Sequence, residues 1–268
     1  MPNELILAGC GLLAGAFGAL LGLGGGILIV PILTLGFGVP LTTAVGTSLI
    51  CVIATSTGAA AINVRAGRAD VRLGITLAGG TVVGALTGGL LAGIVPERLV
   101  AGLFAALLAY TAVTMARGLL RTGPAGESLD DDPTAPDGPG APAYRQRRLP
   151  LAISGSFLAG NVSGLLGVGG GIVTVPLMHL VMGAPLRIAT ATSNFMLGMT
   201  AAAGAFAYLF RGDIDGRLAG PVLLGVAAGA AVGAAISGRI ATRWLVIVLS
   251  VVVAYVAVRM ALLALGPA

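Results

Sequence analysis

Apolar positions in this chain come in long blocks divided by short polar punctuation, with no strand-like alternation. A first block covers residues 5–21 and runs into a cluster of glycines. A shorter block, 27–37, stops before Gly38-Val39-Pro40. Long blocks follow at 41–64, 73–95 and 99–120, separated by a basic loop at 65–72 and by the turn Pro96-Glu97-Arg98. Blocks of about 20 apolar residues predict transmembrane helices. The absence of a period of two argues against an outer-membrane barrel. As a helix the 27–37 block would reach only about 17 Å, half a bilayer core. It predicts a half or re-entrant helix, ended by the backbone restriction that precedes a proline.

The whole pattern then recurs. Gly169 follows Gly24 by 145 residues, and the spacing holds without a gap over a long stretch. Gly15 pairs with Gly160, Pro31 with Pro176, Pro40 with Pro185, Ala44 with Ala189, and Thr47-Ser48 with Thr192-Ser193. The loop residues Gly67, Asp70 and Arg72 pair with Gly212, Asp215 and Arg217. The second half is therefore expected to carry its own broken pair and helices near 186–210, 218–237 and 243–265. This divides the chain into a first transmembrane repeat, 1–120, a linker, 121–148, and a second repeat, 149–268. The linker holds Asp130-Asp131-Asp132, several prolines and Arg145, Arg147 and Arg148. Its composition predicts disorder, on the cytoplasmic side.

At the centre of each repeat stands the same motif. The first reads Gly22-Leu23-Gly24-Gly25-Gly26-Ile27, with Pro31 beyond it; the second reads Gly167-Val168-Gly169-Gly170-Gly171-Ile172, with Pro176. Each glycine in a helix interior costs roughly 1 kcal/mol against alanine. Three in a row predict a break between two half-helices. Irregular backbone at membrane depth is tolerated only against protein or a polar cavity. Paired breaks in a duplicated membrane chain are the mark of a secondary transporter, with its site between the repeats. The expected fold is thus an all-α polytopic membrane protein: two repeats, each a broken helix pair plus three helices.

Composition agrees with a membrane protein. Mean hydropathy is +1.02 and only 9% of residues are charged, against about 25% in soluble domains. All basic residues other than His179 are arginine, and they fall at predicted helix ends and in loops. If each broken pair returns to its own side, the repeats are inverted. Arg65, Arg68, Arg72, Arg117, Arg121, Arg187, Arg239 and Arg243 then share the linker's cytoplasmic side, and Arg98, Arg211, Arg217 and Arg259 face out. If each pair counts as one crossing, the repeats are parallel, and the second-half arginines exchange sides. The positive-inside rule accepts both; the short second limb favours inversion. The start of the chain lacks a basic n-region, and no signal peptide is expected.

Candidate chemistry is uncharged. Glu4, Asp70, Glu97, Asp213 and Asp215 fall at segment ends, and the remaining acids lie in the linker. A cationic substrate would lack a counter-charge. The glycine amides of Gly24, Gly25, Gly26, Gly169, Gly170 and Gly171 offer free N–H groups suited to an anion. Thr47, Ser48, Thr192, Ser193 and Asn194 add hydroxyl and amide donors in the early turns of the following helices. Packing between helices is the competing role for such small polar residues. Asn161, before the second motif, is a weaker candidate. His179 is the one candidate for proton coupling, set against a simple interfacial role. Cys10 and Cys51 form no metal-ligand cluster, so neither a metal nor a cofactor is expected.

Gly-x-Gly-Gly-Gly-Ile-x-x-x-Pro, then Gly-x-Pro, then Ala-x-x-Thr-Ser, in two copies, resembles the sulfite exporter TauE/SafE family of membrane permeases. The matching residues are Gly22, Gly24, Gly25, Gly26, Pro31, Thr47 and Ser48, with Gly167, Gly169, Gly170, Gly171, Pro176, Thr192 and Ser193. The resemblance implies a multi-pass protein of the bacterial inner membrane that moves small sulfur-containing anions such as sulfite, thiosulfate or sulfonates, often outward. It also implies that both motifs and the Thr-Ser pairs lie near the substrate. Alternating access is the expected mechanism and no enzyme activity is expected. A passive anion channel and a membrane assembly or maturation factor are the alternatives. The expected partners are the anion and the lipid bilayer, without nucleic acid; formation of a homo-oligomer stays open.

Overall fold

In a computed structural model of the protein, residues 4–21, 24–121, 149–236 and 242–265 are described. Gly22, Leu23, residues 122–148 of the expected linker, and Arg239 lie outside them. The first half forms α1 (Glu4–Leu21), α2 (Gly26–Pro31), α3 (Leu41–Arg65), α4 (Val71–Leu91) and α5 (Glu97–Arg121). The second forms α6 (Leu149–Leu166), α7 (Gly171–Pro176), α8 (Leu186–Phe210), α9 (Gly216–Ile236) and α10 (Thr242–Leu265). There is no strand among the described residues. α1 and α6, and likewise each later pair, start at positions related by the 145-residue spacing seen between Gly24 and Gly169.

Two prolines shape the short limbs. Pro31 ends α2 and Pro176 ends α7, and each is followed by a π turn, Ile32–Gly36 and Leu177–Val181. Proline has no N–H, and its ring crowds the carbonyl four residues back. Widening the next turn to a π bond pattern relieves both problems. α4 ends four residues short of the expected 95, because Gly93 and Pro96 break the apolar run and residues 92–94 form a turn.

The helices pack through glycine seams. A Cβ on Gly225, Gly229 or Gly233 of α9 would clash with the carbonyls of Ala8, Leu12 or Ala16 of α1. Gly80, Gly84 and Gly88 of α4 meet the carbonyls of Ile153, Phe157 and Asn161 of α6 in the same way. Small residues let backbones approach closely where lipid offers no hydrophobic drive. Residue numbers rise together along both seams, so α1 runs parallel to α9 and α4 parallel to α6. Between α3 and α8 they run in opposite senses: Gly46 faces Tyr208, Leu49 faces Gly204, and Ser56 faces Gly198. These equivalent helices are antiparallel.

The limb α2 folds back along α1. Gly25 lies against Ala14 and Gly18, and Ile29 and Leu33 share a small cavity of about 10 Å³ with Leu7, Cys10 and Ala14. Chain direction then places Glu4 and Leu265 at one end of the bundle, with Arg121 and Leu149 at the other. Arg98, Arg211, Arg217 and Arg259 share the first end with Glu4, Glu97, Asp213 and Asp215. Arg65, Arg68, Arg72, Arg117 and Arg121 share the second with Asp70.

The helices α3 and α4, with Glu97–Arg117, Ile188–Phe210 and Gly216–Gly233, are long and apolar enough to cross a membrane. Their outer faces expose Ile62, Ile75, Val83, Leu103, Phe206 and Leu224. Such a surface suits lipid. The interior is sealed by Val30, Leu49, Val52, Phe104, Leu108 and Tyr208.

The seams make a direct prediction. Gly84→Ala and Gly229→Ala force a methyl into a facing carbonyl, and overpacking of this kind costs about 1–3 kcal/mol. Gly79→Ala meets nothing within 4 Å and should be neutral or slightly stabilising. Thermal unfolding of the three detergent-purified variants distinguishes these outcomes; equal melting temperatures would contradict the seams.

Candidate functional site

Both breaks rest on left-handed backbone that L side chains rarely adopt. Gly24 and Gly25 have φ of 72° and 74°, and Gly169 and Gly170 have 83° and 76°. Only glycine takes this region without strain. The third glycine of each run has a different task. Gly26 and Gly171 open α2 and α7. Gly26 must be bare because a Cβ there would stand 2.6 Å from the Gly167 carbonyl oxygen and 3.0 Å from Ser48 Oγ.

The two breaks meet between α3 and α8. Ser48 Oγ donates to the Gly167 carbonyl at 2.8 Å and lies 3.4 Å from the Gly26 carbonyl. One side chain of the first half thus touches both breaks. One turn on, Val52 Cγ atoms lie within about 3.3 Å of the Cβ positions of Gly24, Gly26 and Gly169. Leu197, its counterpart, packs against Gly169 and Gly171. Val52 and Leu197 are both buried and fill the space between the glycines. Thr55 Oγ1 donates to the Gly24 carbonyl at 3.0 Å. Each orphan carbonyl satisfied in this way removes a desolvation cost of about 1–3 kcal/mol.

The hydroxyls expected at the site divide into different roles. Ser48 and Ser193 are buried beside the breaks, and Ser193 Oγ is 2.8 Å from Thr174 Oγ1 of α7. Thr192 instead accepts the Asp70 N–H at 2.9 Å, while Asp70 Oδ1 caps α4 by accepting the Leu73 N–H. Its hydroxyl therefore ties α8 to the loop before α4. Thr47, the counterpart, is fully buried and its Oγ1 has no hydrogen-bond partner among the described residues. Asn194 is buried on α8, one turn before Gly198, which faces Ser56 of α3.

Two expected candidates stand apart from the breaks. Asn161 Nδ2 donates to Thr87 Oγ1 at 2.8 Å, joining α6 to α4. His179 is exposed in the π turn, about 12 Å along the limb from Gly171 by helical rise. Its Nδ1 lies 2.9 Å from the Ala184 carbonyl, tying the turn to the loop before α8. Sequence reading overlooked Val52, Leu197, Thr55 and Thr174. Val52 and Leu197 carried one usable signal: they are related by the repeat spacing and stand one turn after Ser48 and Ser193.

Among the described residues, every acid sits at a helix end or in a loop, and no group of metal-ligating side chains occurs. Two glycine breaks packed against each other inside an apolar helical bundle define a multi-pass membrane transporter. The chain belongs to the sulfite exporter TauE/SafE family, whose profile matches residues 7–260. It is similar to the probable membrane transporter protein YunE of Bacillus subtilis, 28% identical over 79% of this chain and 80% of that one. It is also similar to a probable membrane transporter protein of Methanocaldococcus jannaschii, 29% identical over 74% of this chain and 70% of that one. A second Bacillus subtilis relative, the probable membrane transporter protein YdhB, is 29% identical over 82% of this chain and 83% of that one. No solved structure matches. Members of the family are transporters and not enzymes.

The Ser48 bridge gives the test of this geometry. Ser48→Ala leaves the Gly167 carbonyl without its buried donor and should cost about 1–3 kcal/mol. Ser56→Ala, which removes a bond within α3 to the Ile53 carbonyl, should cost less. Chemical or thermal unfolding of the two variants checks the order.

Proposed function

We propose that this protein exports small sulfur-containing anions such as sulfite, thiosulfate or sulfonates across the bacterial inner membrane. The observation that carries this reading is the convergence of both glycine breaks on Ser48 and Val52, inside a chain of the TauE/SafE family. Broken helices that meet at mid-membrane are where transporters hold substrate. The glycine amides, the Ser193 hydroxyl and the Asn194 amide offer donors without fixed charge. Such a site favours an anion and releases it again.

The mechanism we infer is alternating access by two inverted repeats whose moving bodies interleave the sequence halves. One body comprises α1, α2, α3 and α9, and the other α6, α7, α8 and α4. The glycine seams join α1 to α9 and α4 to α6. The antiparallel α3–α8 contact is then the surface that rocks. Val52 and Leu197 sit on it, so opening toward either side withdraws them from the glycines. The arginine-rich end that bears Arg121 and Leu149 is cytoplasmic by the positive-inside rule. The linker, 121–148, lies there and separates the two repeats, 1–120 and 149–268. His179 is at most an accessory coupling group on this reading, because its ring is held by the Ala184 carbonyl.

Ligand stabilisation tests the substrate class. A ligand at about 100-fold excess over its Kd stabilises the folded state by ~2.7 kcal/mol. Wild type and Asn194→Ala should be melted with sulfite, thiosulfate, methanesulfonate, sulfate and chloride. The expected result is stabilisation by a sulfur oxyanion that weakens in the variant. No shift with any anion would sink the sulfur-anion reading. Topology has its own test: alkaline phosphatase fused after Ala268 should be active, since the chain end lies outside. Inactivity of both this fusion and one within the linker would refute the inverted arrangement.

A further inference from the structure

We infer that the anion is held at the second break alone, by the hydroxyls of Ser163, Thr174 and Ser193 around the Gly170–Gly171 peptide. This deepens the sulfur-anion reading above and rests on it. The two breaks are alike in backbone and unlike in side chains. Ser163 of α6 is 1% exposed, and its Oγ has no hydrogen-bond partner among the described residues. That oxygen lies 3.5 Å from where a Cβ on Gly170 would stand. Thr174 Oγ1 lies 3.2 Å from the Gly170 carbonyl oxygen and 2.8 Å from Ser193 Oγ. Ser193 Oγ in turn lies 3.4 Å from the Cβ position of Gly171. Three buried hydroxyls therefore surround one glycine peptide.

The first break has Gly18, Ile29 and Ser48 at the corresponding positions. Its hydroxyl hydrogens are already committed. Ser48 donates to the Gly167 carbonyl, and Thr55 donates to the Gly24 carbonyl. A hydroxyl has one hydrogen to give. None remains there for a substrate oxygen, whereas Ser163 retains its own. The cluster also suits an anion better than a cation. The Gly170 carbonyl already accepts from the N–H groups of Val173 and Thr174 at 3.0 Å each, and the Thr174–Ser193 contact uses one of its two hydroxyl hydrogens, so the other can turn to a substrate oxygen. No carboxylate accompanies it. Entry requires Leu197 to leave Gly169 and Gly171, which couples occupancy to the α3–α8 contact.

The test compares three isosteric losses by equilibrium binding and by thermal melting in the absence of ligand. The titrants are sulfite, thiosulfate, methanesulfonate and sodium chloride. Ser163→Ala and Thr174→Val should each weaken binding of the preferred sulfur anion at least tenfold, with an unaltered ligand-free melting temperature for Ser163→Ala. Thr55→Val, the hydroxyl loss at the first break, should leave affinity within threefold. Affinity unchanged in Ser163→Ala but lost in Thr55→Val would move the site to the first break and overturn the assignment. Equal stabilisation by the sodium salts of all four anions, lost in Ser163→Ala, would overturn it in favour of a cation site. Binding by wild type that both second-break variants retain refutes this inference and leaves the sulfur-anion reading standing. No binding by wild type refutes both.

Discussion

A backbone that leaves its helix inside a membrane must find partners for every N–H and C=O it frees. The rest of this fold answers that constraint. Two runs of glycine break at mid-bundle, and the carbonyls freed at Gly24 and Gly167 meet buried hydroxyls of α3. Ser48 serves the Gly167 carbonyl across the repeat boundary, and Thr55 serves the Gly24 carbonyl. The prolines at 31 and 176 open a second problem on the short limbs, and the π turns absorb it. Satisfying these groups from α3 brings the two breaks together. The site follows from hydrogen-bond accounting at membrane depth.

The same accounting explains why the two halves of the sequence are entwined. A helix hairpin as short as α1–α2 cannot cover its own broken end. α1 gains cover from α9 of the other half, and α6 gains it from α4. Close approach requires bare backbone on both sides, hence glycine at 80, 84 and 88 and again at 225, 229 and 233. The high glycine content therefore has two separate origins. Some glycines permit left-handed turns; more of them permit contact.

Much of this was legible before any coordinates. The Gly-x-Gly-Gly-Gly motif reads as a break because no helix interior tolerates it, and the structure places left-handed glycines there. The short 27–37 block reads as a half-helix by length alone, and α2 with its π turn fills it. Partners were not legible. Gly84 carries no sign that it faces Phe157. Val52 and Leu197 were hidden because an apolar residue in an apolar helix looks like any other. Thr192 read as a substrate donor because it sits beside Ser193 in sequence. On a helix, adjacent residues point about 100° apart, and the Thr192 oxygen accepts the Asp70 amide. The hydroxyl of Ser163 was overlooked because serines in membrane helices ordinarily bond their own backbone.

The departures from symmetry are as informative as the symmetry. At the end bearing Glu4 and Leu265, Arg211 donates to the Gly89 carbonyl at 2.9 Å, pairs with Asp213 at 2.8 Å and lies over the Tyr208 ring at 5.5 Å. This fastens the end of α8 to the end of α4. The equivalent residues of the first half are Ala66, Arg68 and Asn63, which cannot form the same set of bonds. A partly exposed ion pair contributes little by itself, but a guanidinium shared among a helix-end carbonyl, a carboxylate and an aromatic face is more constrained. The α4–α8 contact is therefore held by bonds that the equivalent α3–α9 contact lacks. The two halves are thus alike in backbone and unequal in the bonds that hold their helix ends.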